Sequence, residues 1–367
     1  MIKLASRTVL STQLMTQQHT LKTVALPSSL LLQQHVRNYS DGTLPVKPVI
    51  PNLSQSIYDK PLRRVLFNVP GSDKRKVAKA VGLSNKIDSI VLDIEDGVAI
   101  NQKQEARDEI ARSVVNDKYI TSEVLVRVNG VDSGLLEADL EMLAKVASYI
   151  DGIVVPKVDD AAHLQYVTAL LRHYKFKKQL KILASVESAR SLVHLKEICN
   201  YHRLANEESQ LDALIFASED YCADTGITRT PEAQELLYAR SHVVNHAIAS
   251  GLQAIDMVCI NYKDPDYLRR EASEGIRMGF HGKQAIHPNQ IDIICELYRP
   301  SPQKFDFASR IIEQNEVFQA QGKGAFELDG KMIDMPMVKW AKNIVSIESF
   351  YPKREDSSND KWLDKEQ

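Results

Sequence analysis

Acidic residues gather where short apolar runs end. The run at 89–93 closes on Asp93-Ile94-Glu95-Asp96, the run at 181–186 is followed by Glu187-Ser188, and the run at 213–217 by Ser218-Glu219-Asp220. Arg127 and Asn129 mark the end of the run at 124–128, and Lys157 follows the run at 152–155. Asp256 lies within 254–259, and His287 follows 283–286. Carboxylates crowded onto one rim repel each other unless a cation sits among them. Few soft ligands accompany them. Oxygen donors from one or two side chains suit Mg²⁺, which keeps waters and takes substrate oxygens. One strand-and-helix repeat separates Glu187 from Asp220, so neighbouring strands deliver both, and they are the expected metal ligands. The alternative for either is an ion pair with Arg127 or Lys157. Asp93, Glu95 and Asp96 are expected behind them, holding metal waters or Arg127.

Arg127 offers a planar fork to a carboxylate, the clamp that a chelated 2-keto acid needs. An internal pair with Glu95 stays open beside that role. His287 precedes Pro288 and reads as a cap or a structural histidine, with a catalytic base as the lesser alternative. His194, His202, His242 and His246 lie in helical patterns and carry no functional weight.

The elements that must position these groups alternate from residue 61 onward. Eight β-branched runs, at 64–69, 89–93, 124–128, 152–155, 181–186, 213–217, 254–259 and 283–286, are nearly continuously apolar. Parallel strands covered by helices read that way. Helical patterns at 104–115, 135–147, 161–172, 231–249 and 266–278 separate them, with Thr230-Pro231 read as a helix start and Gly251 as a stop. The repeat is about 30 residues, the size of one βα unit. Eight units predict an α/β fold, a TIM-type (β/α)₈ barrel, with chemistry at the C-terminal strand ends. A doubly wound open sheet is the alternative, but Val69-Pro70-Gly71-Ser72-Asp73 lacks its glycine-rich turn. The barrel is expected at 61–300. A C-terminal extra helix at 302–321 and a lid segment around Met335-Pro336-Met337 fill 301–350, and a charged, disordered tail occupies 351–367.

Composition narrows the classes. A formal net charge of −2 gives no footprint for nucleic acid. No apolar run is long enough for a membrane span. Cys199, Cys222, Cys259 and Cys295 form no Cys-x-x-Cys pair and read as small buried residues in a reducing compartment. Before Asp41 the chain carries Lys3, Arg7, Lys22 and Arg37 and no acid, the composition of a mitochondrial transit peptide at 1–39, which predicts the matrix.

Val69-Pro70-Gly71, Leu92-Asp93-Ile94-Glu95-Asp96-Gly97-Val98, Arg127-Val128-Asn129, Pro156-Lys157-Val158, Val186-Glu187-Ser188-Ala189, Gly282-Lys283-Gln284-Ala285-Ile286-His287-Pro288 and Met332-Ile333-Asp334-Met335-Pro336 together resemble the citrate lyase beta subunit and malyl-CoA lyase family over about residues 61–345. The resemblance implies a Mg²⁺-dependent barrel, a homotrimer, and coenzyme A, as part of the substrate, bound across the rim. It puts the metal on Glu187 and Asp220 and the substrate carboxylate on Arg127. It puts the catalytic acid–base on Asp334, in a segment that closes over a neighbouring subunit. Coenzyme or substrate contacts fall on Asn68, Arg75, Lys79, Ile255 and Asp256. The implied activity is cleavage of (3S)-citramalyl-CoA to pyruvate and acetyl-CoA, with side condensation of glyoxylate with acetyl-CoA or propionyl-CoA. Asn68 and Arg75 depart from the Tyr and Lys of similar chains, as Ser218 departs from Gly. By its residues alone, Asp334 before Pro336 also reads as a helix N-cap. A 2-keto-acid barrel without coenzyme A and a noncatalytic coenzyme-A-binding protein are the competing functions.

Overall fold

The computed structural model describes residues 57, 60–116, 120–201 and 209–351. The expected transit peptide, His202, and all of the 351–367 tail except Tyr351 lie outside them.

The eight apolar runs are eight parallel strands: β1 (Val65–Pro70), β2 (Ser89–Asp93), β3 (Glu123–Arg127), β4 (Gly152–Val155), β5 (Leu180–Val186), β6 (Ser209–Phe216), β7 (Gln253–Asp256) and β8 (Gly282–Ala285). They pair in chain order, and β8 returns to β1 with Val65 opposite Lys283, closing the barrel. That pairing excludes the open sheet. Outside run α1 (Lys74–Gly82), α2 (Lys103–Asn116), α3 (Leu136–Lys145), α4 (Ala161–His173), α5 (Ala189–Val193), α6 (Leu195–Tyr201), α7 (Ser218–Thr225), α8 (Leu237–Ala249), α9 (Pro265–Met278) and α10 (Ile291–Tyr298). No helix among the described residues is long and apolar enough to cross a membrane.

Strand side chains alternate between two faces. Val65, Phe67 and Val69 of β1 join the main core beneath the helices, while Leu66 points into the barrel. The interior is tiered. At the floor, Arg63 forks onto Glu123 at 2.7 Å through two nitrogens and reaches Asp212 at 2.5 Å. Lys60, Lys181 and Ser89 complete this set on Asp212 and Glu123. Above it, Leu66, Val91, Leu125, Val154, Leu183, Ala213, Ile215 and Ile255 fill a dry layer. The third tier is the rim, where the predicted polar residues stand. With paired charges closing the floor and hydrocarbon filling the middle, only the C-terminal face is free for chemistry.

One sequence expectation is corrected here. The helix predicted from Pro231 starts later. Ala233 is left-handed (φ 49°), which breaks the path, and only a short 3₁₀ turn precedes α8. Thr230 instead holds Glu235, its N–H and hydroxyl donating to the carboxylate at 2.6 and 2.8 Å. Beyond α11 (Pro302–Ala320), residues 321–325 form turn and irregular structure. A hairpin of β9 (Phe326–Leu328) and β10 (Lys331–Ile333) leads into α12 (Met335–Ser349). The hairpin turns at Asp329-Gly330, with φ of 49° and 72°, the left-handed pair that a two-residue loop requires.

These C-terminal elements share a separate apolar cluster that includes Ile311, Phe326, Ile333 and Val338. The last turn of α12 is tied to the barrel by Arg299–Glu348 at 2.6 Å. The Tyr351 ring lies 4.8 Å from the Arg64 guanidinium and 4.6 Å from that of Arg299. Arg64 directly precedes β1, so this anchor is at the floor end.

Candidate active site

Each rim carboxylate is fixed differently. Asp93 ends β2 and is almost fully buried. Arg127 ends the neighbouring β3 and forks onto it, Nε and Nη2 each donating at 2.7 Å. The N–H groups of Glu95 and Gly97 also donate to Asp93, at 2.8 and 2.9 Å. Position 97 must be glycine here, because a Cβ would come within 2.3 Å of the Asp93 carboxylate. Lys103, buried at the start of α2, donates to the carbonyls of Ile94 and Glu95 at 2.7 and 2.8 Å and pins the acidic loop. Asp139 of α3 does the same for Asn129, accepting its N–H and its side-chain amide at 2.7 Å.

Arg127 therefore serves Asp93 first. Its Nη1 lies 3.6 Å from Glu95, so the internal pair anticipated for it exists as well. Lys157 bonds to Glu95 and lies 3.1 Å from Asp96. Its backbone is left-handed (φ 53°), a strained state for a lysine, and one that clusters at functional sites. Burial alone would lower the Lys157 ammonium, yet Glu95 and Asp96 hold it above its ordinary value. Burial lifts Glu95 above the usual carboxyl range, against the pull of Arg127 and Lys157. Beside this set lies a cavity of about 330 Å³, lined by Glu95, Asp96, Asn129, Val131, Ser133 and Lys157 among others.

Glu187 and Asp220 differ from the rest. Val186 pairs with Phe216, and the Ala217 N–H donates to the Val186 carbonyl at 3.1 Å, so Glu187 and the start of α7 leave the barrel side by side. Glu187 is only 4 % exposed. Burial, then the charges of Asp220 and Glu95, push its carboxyl up to about 8, against Arg127 and Lys157. Among the described residues neither the Glu187 nor the Asp220 carboxylate has a hydrogen-bond or ion-pair partner. Asp220 sits in the first turn of α7, where the helix dipole favours an anion but no side chain holds it. Two adjacent unpartnered carboxylates, one of them buried, are a donor set that a hard divalent ion satisfies. The structure thus brings together Glu187, Asp220, Glu95, Asp93, Arg127 and Lys157.

The other anticipated residues divide. Asn68 is half-buried on the rim and donates to Gln284 at 3.4 Å. Arg75 and Lys79, one turn apart on α1, are exposed on a common face. Ile255 is in the dry barrel layer, below the rim. The Asp256 side chain does not join the rim set. With Ile255 pointing inward, Asp256 points outward, fully buried against Arg240 of α8 at 2.8 and 3.1 Å. His287 caps the turn at Pro288–Gln290, accepting from the Asn289 N–H at 3.2 Å, and stacks on Tyr262. Asp334 is exposed at the start of α12 and caps it, accepting from the Met337 N–H at 3.3 Å. Among the described residues no bond joins it to the rim set. Lys103, Asp139 and Arg229 were not singled out from the sequence. Their partners are distant in the chain, and no local pattern marks them.

A closed barrel that crowds carboxylates and one forked arginine on its C-terminal rim defines a class: α/β-barrel enzymes that handle small oxygen-rich acids. Comparison with known proteins narrows the class. Residues 63–288 match the HpcH/HpaI aldolase/citrate lyase family model. The chain is 40 % identical over 307 residues to the mitochondrial citramalyl-CoA lyase of Rattus norvegicus, covering 82 % of this chain and 90 % of that protein. It is 32 % identical over 291 residues to the citrate lyase subunit beta of Leuconostoc mesenteroides subsp. cremoris, covering 78 % of this chain and 93 % of that one. Among solved structures, CitE from Mycobacterium tuberculosis in complex with magnesium, acetoacetate and coenzyme A superposes with a TM-score of 0.63 at 25 % identity, covering 78 % of this chain and 98 % of CitE. The chain belongs to the HpcH/HpaI aldolase/citrate lyase family, and it is an enzyme of the carbon–carbon lyase type.

Proposed function

We propose that this enzyme cleaves (3S)-citramalyl-CoA to pyruvate and acetyl-CoA, dependent on Mg²⁺, in the mitochondrial matrix. The observation that carries the reading is the buried, unpartnered Glu187 beside Asp220, one strand from the next, with Arg127 facing the same rim. The 40 % identity to a mitochondrial citramalyl-CoA lyase supports the substrate and the compartment. The magnesium and coenzyme A of the CitE complex support the cofactor. The basic, acid-free segment before Asp41 supports import.

Glu187 and Asp220 would hold the ion. Bound there, Mg²⁺ would supply Lewis-acid charge to substrate oxygens. Arg127, already oriented by Asp93, directs its remaining N–H groups to the substrate carboxylate. Exposed Arg75 and Lys79 meet the coenzyme phosphates. In the cleavage the substrate hydroxyl gives its proton to solvent water and becomes the pyruvate carbonyl, and solvent in turn keeps the Asp334 carboxyl supplied with a proton. The bond to the neighbouring CH₂ breaks, and its electron pair passes to the carbon next to the thioester. Asp334 returns a proton to that carbon, forming the methyl of acetyl-CoA. Asp334 is exposed and unconnected to its own rim, and the far end of its helix is moored at the barrel floor. That placement supports a reading in which it serves the site of a neighbouring copy, in a homotrimer. In the reverse sense Asp334 takes the proton, and glyoxylate is condensed with acetyl-CoA, or with propionyl-CoA, as a side activity that ends in thioester hydrolysis.

The test incubates the mature chain with citramalyl-CoA and with malyl-CoA, with and without Mg²⁺, and assays pyruvate, glyoxylate and acetyl-CoA. The expected result is equal pyruvate and acetyl-CoA from citramalyl-CoA, only when Mg²⁺ is present. Turnover of free 2-keto acids alone, or thioester binding without cleavage, would overturn the reading.

A further inference from the structure

Asp220 lacks a partner of its own, so something else must fix where it points. It is the third residue of α7, and the first residue, Ser218, is fully buried. Arg229, in the loop after α7, reaches back to that start. Its Nη1 donates to the Ser218 hydroxyl at 3.0 Å and pairs with Glu219. Its Nη2 donates to the Val258 carbonyl at 3.1 Å and to Glu271 of α9 at 2.6 Å. Glu271 in turn pairs at 2.7 Å with Lys283 of β8, whose ammonium donates to the Met257 carbonyl at 2.8 Å. The Arg229 side chain is 6 % exposed. One guanidinium therefore spans the first turn of α7, the segment just after β7, and α9.

A buried ion pair is a weak source of stability, because desolvation offsets most of the attraction. Its geometry is another matter. A planar fork with a carboxylate on each side, a hydroxyl and a carbonyl fixes the relative place of everything it touches. Ser218 and Glu219 are so fixed, and Asp220 follows them in the same helical turn.

We propose that Arg229 is a positioning residue for the metal site. It locks the first turn of α7 against the β7–β8 side of the barrel and so aims Asp220 at the ion shared with Glu187. The inference rests on the reading of Glu187 and Asp220 as ligands. It adds a residue that touches neither ion nor substrate, and it explains why an arginine is buried nine residues beyond a helical carboxylate.

Mn²⁺ alone is the probe. The paramagnetic resonance signal of free Mn²⁺ is titrated against the full chain, for wild type, Arg229→Lys and Arg229→Met, with the melting temperature recorded for each. Partners behind metal ligands typically control affinity by about 10–100-fold. Arg229→Met is expected to weaken Mn²⁺ binding within that range. Arg229→Lys, which keeps the buried charge but loses the fork, is expected to weaken it several-fold while remaining folded. It decides the matter should the Met variant not fold. Lower melting temperatures with unchanged Mn²⁺ affinity would overturn the inference and leave the ligands standing. A wild-type chain that binds no Mn²⁺ would overturn the ligand assignment and this inference with it.

Discussion

Glu187→Gln is expected to make the metal-free protein more stable at pH 8 and insensitive to Mg²⁺. Burial and the charges of Asp220 and Glu95 raise the Glu187 carboxyl from 4.5 to about 8. A carboxyl whose folded pKa exceeds its unfolded value stabilises only while protonated. Its contribution is complete below about 4.5 and is lost as pH rises toward 8, at about 1.4 kcal/mol per pH unit. The ceiling on that loss is about 5 kcal/mol, and relaxation around the site leaves a smaller part, about 1–3 kcal/mol. Glutamine mimics the neutral form, so the variant escapes the loss. Urea unfolding at pH 5.5 and pH 8 in a chelator checks this. Wild type should lose stability between the two pH values and the variant should not. Mg²⁺ should then raise the wild-type melting temperature alone. A variant less stable than wild type at pH 8, or one that Mg²⁺ still stabilises, would contradict the account.

Asp334→Asn should lower turnover by about 10²–10⁴-fold, the range for losing a positioned proton carrier. Asparagine is the discriminating choice. Asp334 also caps α12 through the Met337 N–H, and Asn caps about as well as Asp. Asp334→Ala adds the cap loss, about 1 kcal/mol, and confuses the two roles. If capping were the whole role, Asp334→Asn would turn over nearly normally. The account expects unchanged melting and Mn²⁺ binding with turnover nearly gone. On the proposal that Asp334 serves a neighbouring copy, mixing this variant with an Arg127→Met variant and allowing subunit exchange should restore part of the activity. Pure stocks of either should stay at the residual level of the single variant.

The barrel was legible because its signal is redundant. Eight apolar runs at a steady repeat survive errors of a few residues at their ends, as where 213–217 overlaps only the last part of β6, Ser209–Phe216. The strand-end rule also found the rim, since a polar side chain after an apolar run has few other places to go. It failed at Asp256 because the rule ignores the two-residue alternation. Ile255 faces the barrel interior, so its neighbour faces the helices, and only the fold shows Arg240 waiting there. The Asp329-Gly330 hairpin is a different lapse. A two-residue Asp-Gly loop between short alternating runs is a strong local signal, one that lies beyond the eight-unit repeat. Thr230-Pro231 erred oppositely, a good start signal overridden by the left-handed turn at Ala233. Lys103, Asp139 and Arg229 had no such signal. Their roles lie in contacts with carbonyls, amides and carboxylates that only closure of the barrel brings near.

Crystals grown with Mn²⁺, examined by anomalous diffraction, bear most directly on the shared-ion claim. The account expects one strong peak per subunit, within coordination distance of both the Glu187 and the Asp220 carboxylates. No peak there, or a peak held by other residues while those two carboxylates stay apart, would contradict it.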